Sequence, residues 1–239
     1  MTISRVEDVS IIIPVYNEQE ILRENCLYLL RLLDNQRLCS EIIIGSNGST
    51  DRTDVLGWRL AREYSHIKFF SLPQKGVVGT VFKQAAEMCC HQKIICLDMD
   101  LTIDLSFIRR ALGLLDKYDM VIGSKKAGTE LRSRLRRVGS DAYIWLVRNL
   151  VGLQYSDYSI GAKAYRRPAV LPHLNHIDPG TGYVLNLIHC LRKSGNQIVQ
   201  IPVSCEDRRE SKFSLPYEGF YRFYHVFKLW RKEKSRALL

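Results

Sequence analysis

Asp98 and Asp100 stand one residue apart in KIICLDMDLTID, where an apolar run meets two carboxylates. If the chain stays extended through Met99, residues i and i+2 share a side, and both carboxylates can converge on one cation. Hard oxygen ligands of this kind suit Mg²⁺ or Mn²⁺, with waters and substrate phosphates completing the shell. The pair suits a helix N-cap or a solvated turn as well; Asp104, just before LSFIRRALGLL, is the better cap candidate. Two further polar clusters follow apolar runs. In IIIPVYNEQE the run ends at Pro14, Tyr16 offers a ring, and Asn17 and Glu18 offer hydrogen-bonding groups to a base or ribose. Asn17 also reads as an N-cap. In IIIGSNGSTDRT, Gly48 permits a tight turn, and Asn47, Ser49 and Thr50 gather short polar groups near a helix start. No Lys-Ser/Thr closes this loop and it is not G-x-G-x-x-G, so it is neither a Walker A loop nor a dinucleotide fingerprint. Each cluster alone is explained by a turn and a cap; three at three strand ends describe one site for a nucleotide with a metal-bound diphosphate.

The elements that must hold these residues alternate along the chain. Short β-branched runs (VSIIIPV, EIIIGS, IKFFSL, KIICLD, DMVIGS) are separated by stretches whose apolar residues recur at three and four. That rhythm predicts a mostly parallel sheet covered by helices, with ligands gathered at the carboxyl ends of the strands. VGTVFKQAAEMCCH reads as one helix carrying Cys89 and Cys90. After Lys125 the pattern loosens into a basic segment, strand-like pieces around Tyr155 and Ala162, a helix near Leu185 and a strand in NQIVQIPVSCED. Nothing resembling a linker separates the halves. Residues 1–215 are expected to form one domain, with 1–125 the nucleotide half and 126–215 the acceptor half. Residues 216–239 are expected to form an aromatic, basic C-terminal helix. In that helix Tyr217, Phe220, Tyr221, Tyr224, Phe227 and Trp230 keep helical spacing among Arg222, Lys228, Arg231, Lys232 and Lys234. The composition fits a helix lying on a bilayer surface and equally one packed on the domain.

The chain has 239 residues, a formal net charge of +10 and seven cysteines. The charge implies an anionic partner. An odd cysteine count without C-x-x-C or metal spacing predicts reduced thiols buried as small apolar groups in a cytosolic protein. The N-terminal stretch lacks the apolar core of a signal peptide, and no window reaches the roughly 20 apolar residues of a spanning helix. The expectation is a cytoplasmic protein, peripheral on the cytoplasmic face of a membrane.

The ordered set VSIIIPVYNEQE, IIIGSNGSTDRT, QKGVVGTVFKQA, LDMDLT, VIGSK, RRVGS and VSCEDRRESKFSL resembles the family-2 glycosyltransferases of GT-A fold. It is most similar to the dolichol-phosphate (polyprenyl-phosphate) mannose and glucose synthases, from about Val9 to Leu215. The resemblance implies an α/β, Rossmann-like sheet between helices and a metal-dependent, inverting transfer. A hexose, mannose ahead of glucose, would pass from a GDP- or UDP-linked sugar to a dolichyl or polyprenyl phosphate. It implies that Pro14, Tyr16, Asn17 and Glu18 hold the nucleotide, together with Asn47, Gly48 and Ser49, with Asp51 and Lys75 close by. Asp98 and Asp100 match the D-x-D that binds Mg²⁺ or Mn²⁺ and the donor diphosphate. Lys125 takes the place of the usual arginine after Gly-Ser, and with Asp100 and Arg136 forms the implied catalytic set. Arg136 with Ser140, and Arg208 with Lys212, match acceptor-phosphate motifs.

The chain departs from the family where a carboxylate becomes Asn47, a frequent glutamine becomes Thr102, and D-x-T-S-G-F-R becomes Asp157 to Lys163. A helix glutamate corresponds to Asn186. A soluble saccharide acceptor and a catalytically silent nucleotide-sugar binder are the alternatives. A nucleic-acid-binding module would leave the three polar strand ends without a role, and no nucleic-acid partner is expected.

Overall fold

The computed structural model describes residues 7–125, 134–205 and 215–237. In chain order the elements are β1 (Asp8–Val15), α1 (Leu22–Asn35), β2 (Cys39–Asn47), α2 (Thr53–Glu63), β3 (Ile67–Leu72), α3 (Val78–Met88), β4 (Lys93–Cys96), α4 (Ser106–Leu114) and β5 (Met120–Ser124). They continue with α5 (Arg134–Val151), β6 (Lys163–Arg166), α6 (Arg167–Val170), a 3₁₀ turn (Leu171–His176), α7 (Tyr183–Lys193), β7 (Ile198–Pro202) and α8 (Leu215–Ala237). The seven strands form one sheet in the order β3-β2-β1-β4-β6-β5-β7. Only β6 runs against its neighbours.

The sheet is buried on both faces, as the unbroken apolar runs anticipate. In β1, Val9, Ile11, Ile13 and Val15 point into a core shared with α1, α2 and α4. Ile12 points the other way, into a core completed by α3, α5, α7 and α8. Strand order reverses between β1 and β4, and such a switch point opens a crevice outside the carboxyl ends. Because β6 is antiparallel, its amino end arrives at that same edge. Gly161, just before β6, is thereby set against the end of β4.

Three local readings change. KIICLD ends as a strand at Cys96, so Asp98 to Asp100 do not continue β4. The segment around Tyr155 is a loop. Its backbone is satisfied by the Tyr158 hydroxyl, which accepts from the Tyr155 amide at 3.2 Å, and by Gln200 Oε1, which accepts from Ser156 at 3.0 Å, in place of a strand partner. Helix α3 stops at Met88, leaving Cys90 exposed, and Cys39 is exposed too. The stop has a cause in β2: Glu41 Oε1 accepts from the Cys90 amide at 2.7 Å and from Ser10 Oγ at 2.5 Å.

Glu41 is buried, and its other oxygen meets Lys68 Nζ at 2.7 Å. Against the upward push of burial, hydrogen bonds from Lys68, Ser10 and Cys90 bring its pKa down to about 2. A depressed carboxylate contributes stability above its unfolded pKa, and that contribution disappears as the pH falls through the folded value. Glu41→Gln is therefore expected to lose about 2 kcal/mol at neutral pH. In urea unfolding, the gap to wild type should close as the pH drops from the ordinary glutamate range toward 2; a constant gap would contradict the assignment.

Candidate active site

The loops after β1 and β2 are bonded to each other. Asn17 sits in the left-handed region at φ 53°, and its amide N–H donates to Ser49 Oγ at 3.1 Å. Its Oδ1 accepts from the Thr50 amide at 2.7 Å, and Thr53 Oγ1 accepts from the Glu18 amide at 2.8 Å. Asn17 is thus a cross-loop brace and not the cap of α1, which begins five residues later. Asp51 works in the same way: Oδ1 accepts from Thr53 at 2.9 Å, opening α2, and Oδ2 accepts from Gln19 at 3.2 Å.

Gly48 turns the chain at φ 70°, and a Cβ there would lie 2.6 Å from the Lys75 nitrogen. Only glycine allows this approach. The Lys75 loop in turn places Nζ 4.5 Å from the centroid of the Tyr16 ring. Asn47 is buried, and its Oδ1 accepts from the Val77 amide at 2.8 Å, just ahead of α3. The Asn47 amide thereby serves the fold with its oxygen.

At the end of β4 the carboxylates ride on a tight turn. Leu101, at φ 49°, donates its amide to Asp98 O at 3.2 Å. Asn25 Nδ2 from α1 donates to Met99 O at 2.8 Å. The pair thus rides on a turn and not on the extended strand expected from the sequence, and the turn keeps Met99 in the core. Asp98 opens to the cleft yet is closely ringed by protein. Burial first, then the charge of Asp100, raise its pKa, while Lys125, Lys163 and the Gly161 amide act in the opposite direction. Asp98 Oδ2 accepts from Gly161 N at 3.2 Å. Asp100 Oδ1 accepts from Thr102, from the amide at 3.3 Å and the hydroxyl at 3.2 Å. Thr102 Oγ1 also lies 3.7 Å from Cys205 Sγ, and an Ile103–Cys205 bridge fixes this loop to the chain leaving β7.

The far wall comes from the loop before β6 and from the end of β5. Asp157 is buried; its Oδ1 accepts from Ser159 at 2.9 Å and Ile160 at 3.0 Å, and its Oδ2 accepts from the Lys125 amide at 3.4 Å. Lys163 is 1% exposed, donates to Ile160 O, and has its pKa lowered to about 8 by burial, opposed by Asp157 and Asp98. The structure brings Tyr16, Asn17, Glu18, Gly48, Ser49, Asp51 and Lys75 together through the loops after β1 and β2 and the turn before α3, with Asn47 beneath them, and it sets Asp98 within reach of the charges of Asp100 and Lys125. Pro14 lies in β1, paired with Gly45. Ser140 is half-buried on α5, one turn beyond Arg136. The Arg136 side chain, Arg208 and Lys212 lie outside the described residues. Sequence reading did not find Asn25, Thr53 or the closeness of Gly161 to Asp98. A glycine before an antiparallel strand carries no periodic signal, and helix α1 gave no reason to single out one polar residue.

Two adjacent carboxylates, one with its charged form penalised by burial and by the other, make a hard-oxygen donor set that a divalent cation would relieve. The residues fit Mg²⁺ or Mn²⁺.

The family model described as Glycosyl transferase family 2 matches residues 10–171. The chain is similar to Glycosyltransferase AglD of Haloferax volcanii, 23% identical over 215 residues, covering 87% of this chain and 34% of that protein. It is 26% identical over 221 residues to the Dolichyl-phosphate hexose transferase of the same organism, covering 92% of each. It is 26% identical over 213 residues to the Undecaprenyl-phosphate 4-deoxy-4-formamido-L-arabinose transferase of Edwardsiella ictaluri, covering 88% of this chain and 64% of that one. The chain thus spans about a third of the first relative and just under two thirds of the last. Glucosyl-3-phosphoglycerate synthase from Mycobacterium tuberculosis, solved with UDP, shares the fold: TM-score 0.68 at 16% identity, over 94% of this chain and 80% of that one. The same enzyme solved with Mn²⁺, UDP and phosphoglyceric acid superposes with TM-score 0.68 at 16% identity, over 94% and 78%.

Proposed function

The chain belongs to glycosyl transferase family 2, and we propose that it moves a hexose, mannose ahead of glucose, from a GDP- or UDP-linked sugar to a dolichyl or polyprenyl phosphate. The observation that carries this reading is the Asp98–Asp100 turn after β4 at the switch point, with the Lys125 charge acting on Asp98. Relatives named for dolichyl-phosphate hexose and undecaprenyl-phosphate transfer support a lipid-phosphate acceptor. The Mn²⁺ and UDP named with the Mycobacterium tuberculosis enzyme support a metal and a nucleotide.

Asp98 and Asp100 would hold Mg²⁺ or Mn²⁺, which when bound supplies Lewis-acid neutralisation of the leaving diphosphate. Tyr16, with Lys75 against its ring, and the Asn47–Ser49 turn flank the nucleoside end. Asn47, whose oxygen is already used, offers an N–H donor where an aspartate offers only acceptors. Lys125, fixed through its amide to Asp157, sets a cation between donor and acceptor phosphates. A phosphate nucleophile is already anionic near neutral pH, so in-line attack with inversion needs cations more than a strong base. Arg136, Ser140, Arg208 and Lys212 are the proposed acceptor-phosphate contacts.

No helix among the described residues is long and apolar enough to cross a membrane. Helix α8 buries His225, Val226 and Leu229 and leaves Phe220 74%, Tyr224 55% and Phe227 46% exposed on one face. Trp145 of α5 is 64% exposed. Aromatic residues beside Lys228, Arg231 and Lys232 support peripheral attachment to an anionic leaflet on the cytoplasmic side, with the opposite face of the helix packed on the domain.

The test is transfer from GDP- and UDP-hexoses, with and without Mn²⁺, to a polyprenyl phosphate and to free saccharides. Expected is metal-dependent transfer to the lipid phosphate alone, and product on a free saccharide only would defeat the proposal. On vesicles containing anionic phospholipid, replacing Phe220, Tyr224 and Phe227 by Ser should cut co-sedimentation about tenfold; unchanged binding would remove α8 from the membrane contact.

A further inference from the structure

A cavity of about 430 Å³ lies between the 3₁₀ turn, α7 and α8. Its volume is that of a small-molecule site. Four of the six histidines of the chain line it: His173 and His176 from the turn, His189 from α7 and His225 from α8. Lys193, Lys228 and Lys232 line it as well.

The two carboxylates in the wall are committed to protein partners. Asp178 Oδ1 accepts from Tyr221 Oη at 2.8 Å and from the Gly180 amide at 2.9 Å, and Oδ2 lies 3.3 Å from His225 Nε2. Glu233 lies 3.1 Å from His189 Nε2 and pairs with Lys193. Lys228 and Lys232, one helical turn apart, make no ion pair among the described residues. Two lysines without an ion pair among the described residues thus line the cavity beside two carboxylates that already have protein partners, and the wall gains a charge with every imidazole that takes a proton.

A shared metal ion does not explain this set. Among the described residues no three of these side chains bring ligand atoms within 4.8 Å of one another. Separated N–H donors on three elements suit a ligand with several anionic oxygens.

We propose that this cavity is a second ligand site, separate from the sugar-transfer cleft, for a small soluble polyanion bearing phosphate groups. The cluster also sets the sign of its pH dependence. Burial lowers the pKa of His189, opposed by Glu233 and helped by Lys193 and Lys232, and burial lowers that of His225, opposed by Asp178 and helped by Lys228. Burial and the neighbouring His176 lower that of His173. An anion among them favours the protonated forms, so binding takes up protons and tightens as the pH falls.

The experiment titrates inorganic pyrophosphate into the full chain with ¹³C-labelled histidine, without divalent metal, at about pH 6 and about pH 8. No cleft residue named above is a histidine, so the imidazole signals separate this site from donor binding. Expected are shifts at His173, His189 and His225 with His66 and His91 unmoved, about tenfold tighter binding at the lower pH, and at least tenfold weaker binding in K228E/K232E. Both lysines are exposed, and unchanged His66 and His91 signals in the variant report an intact fold. Unmoved cavity histidines, or equal affinity in K228E/K232E, would overturn the site. Shifts seen only with phosphatidic acid vesicles and not with pyrophosphate would overturn the soluble ligand.

Discussion

Asp100→Ala is expected to reduce sugar transfer by about a thousandfold or more while leaving the protein folded. The turn that carries Asp100 does not depend on it. Leu101 still donates to Asp98 O, Asn25 still holds Met99 O, and the Ile103–Cys205 bridge still closes the loop. What the substitution removes is one of two hard oxygen donors and the acceptor for Thr102, a half-buried contact whose loss costs about 1 kcal/mol. Asp100→Asn sharpens the result, because the amide oxygen keeps the Thr102 hydrogen bonds and only the charge is lost. Both variants should show the same collapse in kcat/KM and a lost Mn²⁺-induced thermal shift. Near-normal transfer by Asp100→Asn would mean that Thr102, and not a cation, is the reason for this carboxylate.

The same turn shows what the sequence could and could not disclose. The strands β1 to β3 were legible because their apolar runs are unbroken and their ends are marked by Pro14, Gly48 and short polar residues. The placement of the three clusters on one edge was legible because a parallel sheet delivers the carboxyl ends of β1, β2 and β4 to the same side. The geometry of Asp98 and Asp100 was not legible, since the strand ends two residues early at Cys96 and the chain then turns, with Leu101 in a positive φ that its side chain does not advertise. Cys90 was misplaced because a helix pattern says nothing of a carboxylate arriving from another strand: Glu41, 49 residues earlier, takes the amide that α3 would need. Tyr155 looked like a strand residue by type, yet the backbone there bonds to side chains. In the C-terminal segment the structure bears out the packed face, since α8 buries His225, Val226 and Leu229, while Phe220, Tyr224 and Phe227 remain exposed on the other face.

Gly161→Ala is expected to lower transfer by about a hundredfold, although it adds one methyl group at a residue that no chemistry would single out. A Cβ at Gly161 would lie 2.4 Å from Cγ and from both carboxylate oxygens of Asp98, closer than any real contact. The backbone is not the obstacle, because Gly161 is not among the positive-φ residues and alanine can take its conformation. The carboxylate must therefore turn away or the loop before β6 must retreat, and either movement breaks the Gly161 N to Asp98 Oδ2 bond. Loop retreat would also pull on Lys163 and Asp157, which are held in the same segment. The stability cost should stay near 1–2 kcal/mol, as for a small overpacking at the edge of a core. Gly113→Ala supplies the contrast: its Cβ would meet nothing within 4 Å, and alanine in helix α4 should be neutral or stabilising by about 0.5–1 kcal/mol. Measured together, Gly161→Ala should need more Mn²⁺ for half-maximal activity and Gly113→Ala should match wild type. Equal metal requirement in both would place the active Asp98 carboxylate elsewhere than against Gly161, and with it the cation that the pair is proposed to hold.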